Sequence, residues 1–357
     1  MRLHSLARVL ATLLLAWAAA QLCVWLHTPI PWMIGPLLAT ALASLAGAPT
    51  QSAGLLRNGG QWVLGAALGL YFTPQVTALV AGLWWAIVLG IAWALALGLA
   101  FGLWLQRLHA PRMAQLSPEA MRATSYFAGA IGGASEMTLL AERAGARADL
   151  VAAAHSLRLV IVVVLIPFAM QWGRGYWGLP ALELTAPGPK VAQWPGLFWL
   201  ALATGAGGAL MQRLGRANPW FMGALGTSMA LTMAGLHLSA MPTGLANAAQ
   251  LVIGVSLGVR FRAEFLRTAP HWLLSVALGT LAMLALCGAF GGLLAWATGL
   301  HPATMILGTS PGGIAEMAIT AKVLQLGVPV VTAFQVCRLV AVLLLVGPLF
   351  GWWRRRA

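Results

Sequence analysis

From Val76 through Leu105 not one side chain carries a charge. Comparable apolar runs recur at 9–26, 151–170, 194–211, 272–296 and 328–353, and only Arg158 and Arg338 interrupt them. About 20 apolar residues suffice for a helix to cross hydrocarbon. In that medium every backbone polar group must be paired internally, which leaves only helices and closed barrels. A barrel would show short alternating segments instead. The chain therefore reads as an all-α polytopic membrane protein. Charged residues make up 8% of it, against about 25% in soluble domains, so no ordinary water-facing surface can be built.

The formal net charge is +14. The cations sit in short loops and at the termini, with no basic recognition helix, so direct nucleic-acid binding is not expected. Retention of Lys and Arg on the cytoplasmic side accounts for the excess better. Cys23, Cys287 and Cys337 are isolated in apolar stretches and suggest neither a disulfide framework nor a metal site. Arg2, Arg8, an apolar run and Ala18-Ala19-Ala20 look like a signal peptide. The stretch has a counterpart in the second half, however, which argues for a retained helix.

Three blocks are written twice. Pro31-Trp32-Met33-Ile34-Gly35 matches Pro219-Trp220-Phe221-Met222-Gly223. Asn58, Gln61, Gly65, Leu68 and Gly69 match Asn247, Gln250, Gly254, Leu257 and Gly258. Gly132-Gly133-Ala134-Ser135-Glu136-Met137 matches Gly312-Gly313-Ile314-Ala315-Glu316-Met317, and Arg158 and Arg338 follow at the same spacing. The expected organisation is repeat 1 over 1–173, a proline-containing linker over 174–193, and repeat 2 over 194–357.

Each half shows six apolar segments. The fifth, 119–143 or 302–324, is broken by the glycine pair, and irregular backbone at membrane depth survives only inside protein or along a cavity. Charge indicates whether it crosses. Arg57, Arg107, Arg112, Arg213, Arg216 and 260–267 mark basic loops whose counterparts in the other half are bare or nearly so. Re-entrant fifth segments put all of these, and both termini, in the cytoplasm. The reading is two inverted repeats of five transmembrane helices, each with one re-entrant or broken helical segment. Arg174 and Lys190 depart from the pattern.

An acid inside a membrane is a functional candidate by default. Glu136 and Glu316 read as proton- or cation-coupling groups, because low dielectric raises a carboxyl pKa toward neutrality. A hydrogen bond closing the break, or an ion pair with the following arginine, is the structural alternative. Arg158 and Arg338 suit an anionic solute; each could instead neutralise its own glutamate or reach the interface. His155 lies on the same helix face as Arg158, and Gln335 takes its place in the second copy. Gly132, Gly133, Gly312 and Gly313 expose backbone to a ligand or allow close packing, with Ser135 beside them. Asn58, Gln61, Asn247 and Gln250 form a weaker second set. The seven histidines are scattered, so no metal or cofactor is expected, nor an enzyme.

The duplicated GGxxEM word and the two Pro-Trp-x-x-Gly openings resemble the AbrB family of bacterial inner-membrane proteins over nearly the whole chain. The resemblance implies a multi-pass inner-membrane protein. The family is often labelled an ammonia monooxygenase, and one member is named as a regulator of another gene. Its grouping near cation–proton antiporters and bile-acid-symporter-like proteins implies inverted repeats with broken midplane helices. The glycine motifs also look like those of 2-hydroxycarboxylate transporters in architecture. The expected function is a secondary transporter of a small solute, with an anion as the candidate class, coupled to protons or sodium. A ligand sensor acting indirectly on gene expression is the alternative. Expected partners are the solute or ion, the bilayer and a second copy in a homodimer.

Overall fold

In a computed structural model, residues 2–113, 115–177, 191–261 and 269–356 are described, and among them there is no strand. The first half carries α1 (Arg2–Trp25), α2 (Pro31–Leu45), α3 (Gly54–Gly69), α4 (Pro74–Gly82), α5 (Trp84–His109), α6 (Pro118–Gly129), α7 (Ala134–Arg143) and α8 (Ala148–Trp177). The second carries α9 (Trp194–Arg213), α10 (Pro219–Met233), α11 (Thr243–Gly258), α12 (Pro270–Thr298), α13 (Pro302–Thr309), α14 (Ile314–Val323) and α15 (Val328–Arg356). Helix α8 carries the first residues of the expected linker to Trp177; the rest through Lys190, and the basic stretch 262–268, lie outside the described residues.

Among the described residues, five helices are long and apolar enough to cross a membrane: Ser5–Trp25, Trp84–Arg112, Ala148–Gly173, Pro270–Thr298 and Val328–Arg354. A sixth span results if α3 and α4, bent by 90°, count as one. The expected ten full spans are not reached by length. Helices α2, α3, α10 and α11 have 15 or 16 residues, about 24 Å at most, short of a hydrocarbon core of about 30 Å. Their ends are set locally. Pro31 and Pro219 open α2 and α10, where a missing N–H costs nothing. Gly47 (φ 85°) and Gly235 (φ 77°) close them. Ala48 N–H donates to Ala43 O and Leu236 N–H to Leu231 O, both at 2.9 Å, as a Schellman cap requires. The apolar run 76–105 is also not one helix: it breaks at Leu83, between α4 and α5.

The chain forms two compact units. The first is Met1–Gly82, Ile166–Ala263 and Ala318–Pro329; the second is Leu83–Leu165, Glu264–Met317 and Val330–Ala357. The units do not coincide with the two halves, because each takes helices from both.

In the first unit the packing is reciprocal. Helix α3 lies on α10, and α11 lies on α2. Gly65 meets the backbone of Phe221 and Leu225, while Gly254 meets that of Met33 and Leu37. Gly69 meets Leu225 and Met229, while Gly258 meets Leu37 and Ala41. A Cβ at any of the four would strike backbone, so glycine is required for these approaches.

In the second unit α5 and α12 are antiparallel. His109 Nε2 is 2.9 Å from Ser275 Oγ, a Cβ on Gly279 would meet the Phe101 ring, and Trp93 stacks on Phe290 at 4.7 Å. Helix α8 starts where α5 ends. Trp272 Nε1–H donates to Leu150 O at 3.3 Å, and Arg147 N–H donates to Thr124 Oγ1 at 3.0 Å. The chain thus enters α6 and leaves α7 at the same end. With 12 and 10 residues, neither half-helix could cross alone. Helix α13 follows the other end of the antiparallel pair.

Candidate functional site

Each broken segment is built from two short helices with four residues between them, 130–133 and 310–313. Ser117 caps α6, accepting from Ala120 N–H at 3.2 Å, and His301 caps α13, accepting from Ala303 N–H at 3.1 Å. Both helices have proline at the first position. Helix α6 stops against α5, because a Cβ on Gly129 would lie 2.6 Å from Gly102 N. Ala130 sits against Gly98, about halfway along α5. Thr309 Oγ1 donates to Cys287 O at 3.4 Å, past the middle of α12. The breaks therefore lie at mid-depth in the second unit.

The end of α6 exposes carbonyl groups that no helical turn follows. Arg158 satisfies them, donating from Nη1 to Gly129 O at 3.1 Å and from Nη2 to Ala130 O at 2.7 Å. His155 Nε2 lies 2.9 Å from Phe127 O, and its Nδ1 lies 2.7 Å from Arg158 Nη2. A carbonyl only accepts and a guanidinium only donates. The ring is therefore neutral with its proton on Nε2.

The second copy repeats this with different atoms. Arg338 donates from Nη1 to Ser310 O at 2.5 Å and from Nη2 to Gly312 O at 2.6 Å. Gln335 Nε2 reaches Leu307 O at 2.8 Å, Ser310 O at 3.1 Å and Gly308 O at 3.3 Å. A cation at a helix C-terminus opposes the negative end of the helix dipole. Arg158 is 3% exposed and Arg338 7%, so neither reaches an interface. The alternative reading of Arg158, an ion pair with Glu136, is not what forms, because the guanidinium is directed at the carbonyls of the preceding half-helix.

The glycine pairs have an internal reason that spacing alone did not reveal. A Cβ on Gly132 would lie 2.8 Å from Met137 Cε, and one on Gly312 equally close to Met317 Cε. A Cβ on Gly133 would collide with Oε2 of Glu136, and one on Gly313 with Oε2 of Glu316. Each glutamate sits in the first turn of α7 or α14 and folds back over the glycine that precedes it. A carboxylate is favourable there, at the positive helix end. In GGxxEM the first glycine thus makes room for the methionine and the second for the glutamate. Both methionines are fully buried. Glu316 is buried, whereas Glu136 is half-buried and Ser135 exposed.

All these residues belong to the second unit. Asn58, Gln61, Asn247 and Gln250 belong to the first. Gln61 Nε2 donates to Asn218 Oδ1 at 3.4 Å, and Gln250 is buried. Among the described residues no three His, Cys, Asp or Glu side chains come together as a metal site.

The sequence matches the family described as "Transition state regulatory protein AbrB" over residues 32–354. The chain belongs to the AbrB family. One relative is "Uncharacterized protein YhjN" of Bacillus subtilis (strain 168), 25% identical over 342 residues, which covers 90% of this chain and 86% of the relative. The two GGxxEM words lie inside the matched region. Its five long apolar helices suit a multi-pass membrane protein.

Proposed function

We propose that this AbrB-family protein is a secondary transporter, built as two inverted repeats, that moves a small anionic solute with coupled protons or sodium ions. One observation carries the reading. Two broken helices at mid-depth, one from each half, each hold a buried arginine, Arg158 or Arg338, on the free carbonyls at the break. A buried cation at each break creates a site where an anion is favoured. The antiparallel α5 and α12, with α6 and α13 following opposite ends, support inversion. Both termini then lie in the cytoplasm of the inner membrane, by the charge pattern of the loops.

The glutamates are assigned the coupling ion. Each carboxylate already occupies a positive helix end, so loading and unloading a proton there alters the charge balance beside the solute. His155 is a positioning group, since both its nitrogens are engaged.

Proteoliposomes carrying a pH-sensitive dye and an imposed proton or sodium gradient test this against a panel of small carboxylates. Solute-dependent ion movement is expected, and it should disappear in Glu136→Gln/Glu316→Gln protein that remains folded. Binding of a carboxylate without any coupled flux under either gradient would refute transport. That outcome would favour a ligand sensor, the reading to which the family's printed description as a regulatory protein belongs.

A further inference from the structure

A groove in the second unit borders the first break without including its arginine or glutamate. It encloses about 170 Å³ and is lined almost wholly by apolar groups, among them Leu99, Tyr126, Ala130, Leu349, Trp352 and Trp353. Leu99, Leu349 and Trp352 are 39%, 40% and 49% exposed, so the groove opens outward between α5 and α15. Its chemistry changes along its length. At one extreme it reaches Ala130 in the first break. At the other, Arg122 lies over the Trp353 ring, 5.6 Å from the centroid. Tyr126 and Trp353 stack at 5.8 Å, and the exposed Arg354 follows. Among the described residues Arg122 is in no ion pair, and the exposed Glu119 one turn earlier does not engage it. The sequence then adds Arg355 and Arg356.

We propose that this groove holds an anionic phospholipid, with one acyl chain against α5 and α15 and the phosphate on Arg122 and Arg354. A slot that is apolar inside, aromatic at its mouth and cationic at its rim matches a lipid from tail to headgroup. A soluble anion has no use for the slot, and a neutral lipid has none for the arginines. Helix α6 starts where α15 ends, at the end marked by Arg107 and Arg112, the side that the loop charges place in the cytoplasm. The tail would press on Ala130, whose carbonyl Arg158 holds from the other side, and so would brace the first break.

Native mass spectrometry of the purified full chain tests this with two probes of identical acyl chains, phosphatidylglycerol and phosphatidylcholine. Wild-type protein should retain phosphatidylglycerol preferentially. Arg122→Gln and Arg354→Gln should each lower that preference about fivefold, the equivalent of about 1 kcal/mol per cation. Ala96→Trp, at an exposed groove position, should block the slot and lower retention of both lipids. Equal retention of the two probes by wild-type protein would overturn the proposal. So would an unchanged preference in both arginine variants, or undiminished retention in Ala96→Trp.

Discussion

Replacing Gly133 by alanine should act through Glu136 and not through the backbone. Gly133 has φ −64° and ψ 135°, which alanine adopts freely. Removing a glycine at such a site stabilises a protein by about 0.4–1 kcal/mol, through the unfolded chain. Here the new methyl collides with the Glu136 carboxylate. That carboxylate is the far end of a flexible, half-buried side chain, so it swings away. The loss is its interaction with the α7 N-terminus, about 0.3–1 kcal/mol and up to about 2 when partly buried. Gly133→Ala should therefore be neutral or destabilising by about 1 kcal/mol in the wild-type background. In a Glu136→Ala background nothing remains to displace, and the same change should stabilise by about 0.4–1 kcal/mol. The coupling read from a four-protein cycle of equilibrium unfolding in mixed micelles should be about 1 kcal/mol or more. Additivity within about 0.5 kcal/mol would refute the idea that the glutamate dictates the glycine. Glu316 is buried and cannot swing out, so Gly313→Ala should cost more, in the range of about 1–3 kcal/mol for overpacking.

Arg158→Met strips two carbonyls and His155 Nδ1 of their donor, at about 1–3 kcal/mol for each unsatisfied group. Unfolding should show a loss of at least about 3 kcal/mol, with faster amide exchange across 130–133, and Arg158→Lys should restore only part of it. Gly129→Ala drives a methyl into the backbone of Gly98 and Gly102, where nothing flexible can yield. It should reduce folded yield far more than Gly133→Ala, as size-exclusion profiles will show. Burial holds the His301 pKa below its ordinary value, and its Nδ1 must be unprotonated to cap α13. The cap's contribution, about 0.5–2 kcal/mol, should be complete above about pH 6.5 and fall away as pH drops toward the folded value. His301→Ala should flatten that part of the stability profile.

Much of the frame was legible in the sequence, for identifiable reasons. Pro31 and Pro219 do open helices, and the repeated positions Gly65, Gly69, Gly254 and Gly258 stand out in self-comparison, although only the structure shows that each is a close backbone approach. The duplicated word does mark two broken segments. Other features were hidden because they depend on distant atoms. Nothing near Arg158 in sequence reveals the Gly129 and Ala130 carbonyls, so an ion pair with Glu136 looked equally good. The break at Leu83 carries no proline and a single neighbouring glycine, and the apolar run reads straight through it. The two compact units mix the halves, since each opening helix packs on the third helix of the other half, and self-comparison reports likeness without reporting contact. The lengths of α2, α3, α10 and α11 follow from turns at Gly47 and Gly235 and from breaks near Leu70 and Val259, which hydropathy blurs.

Sidedness of the two re-entrant segments bears most directly on the inverted architecture behind the proposed transport. In protein freed of Cys23, Cys287 and Cys337, single cysteines at Arg112, before α6, and at Leu300, before α13, can be labelled in intact cells with a membrane-impermeant maleimide. On the inverted reading Leu300→Cys reacts from outside and Arg112→Cys reacts only after the membrane is opened. Labelling of both positions from the same side would contradict it.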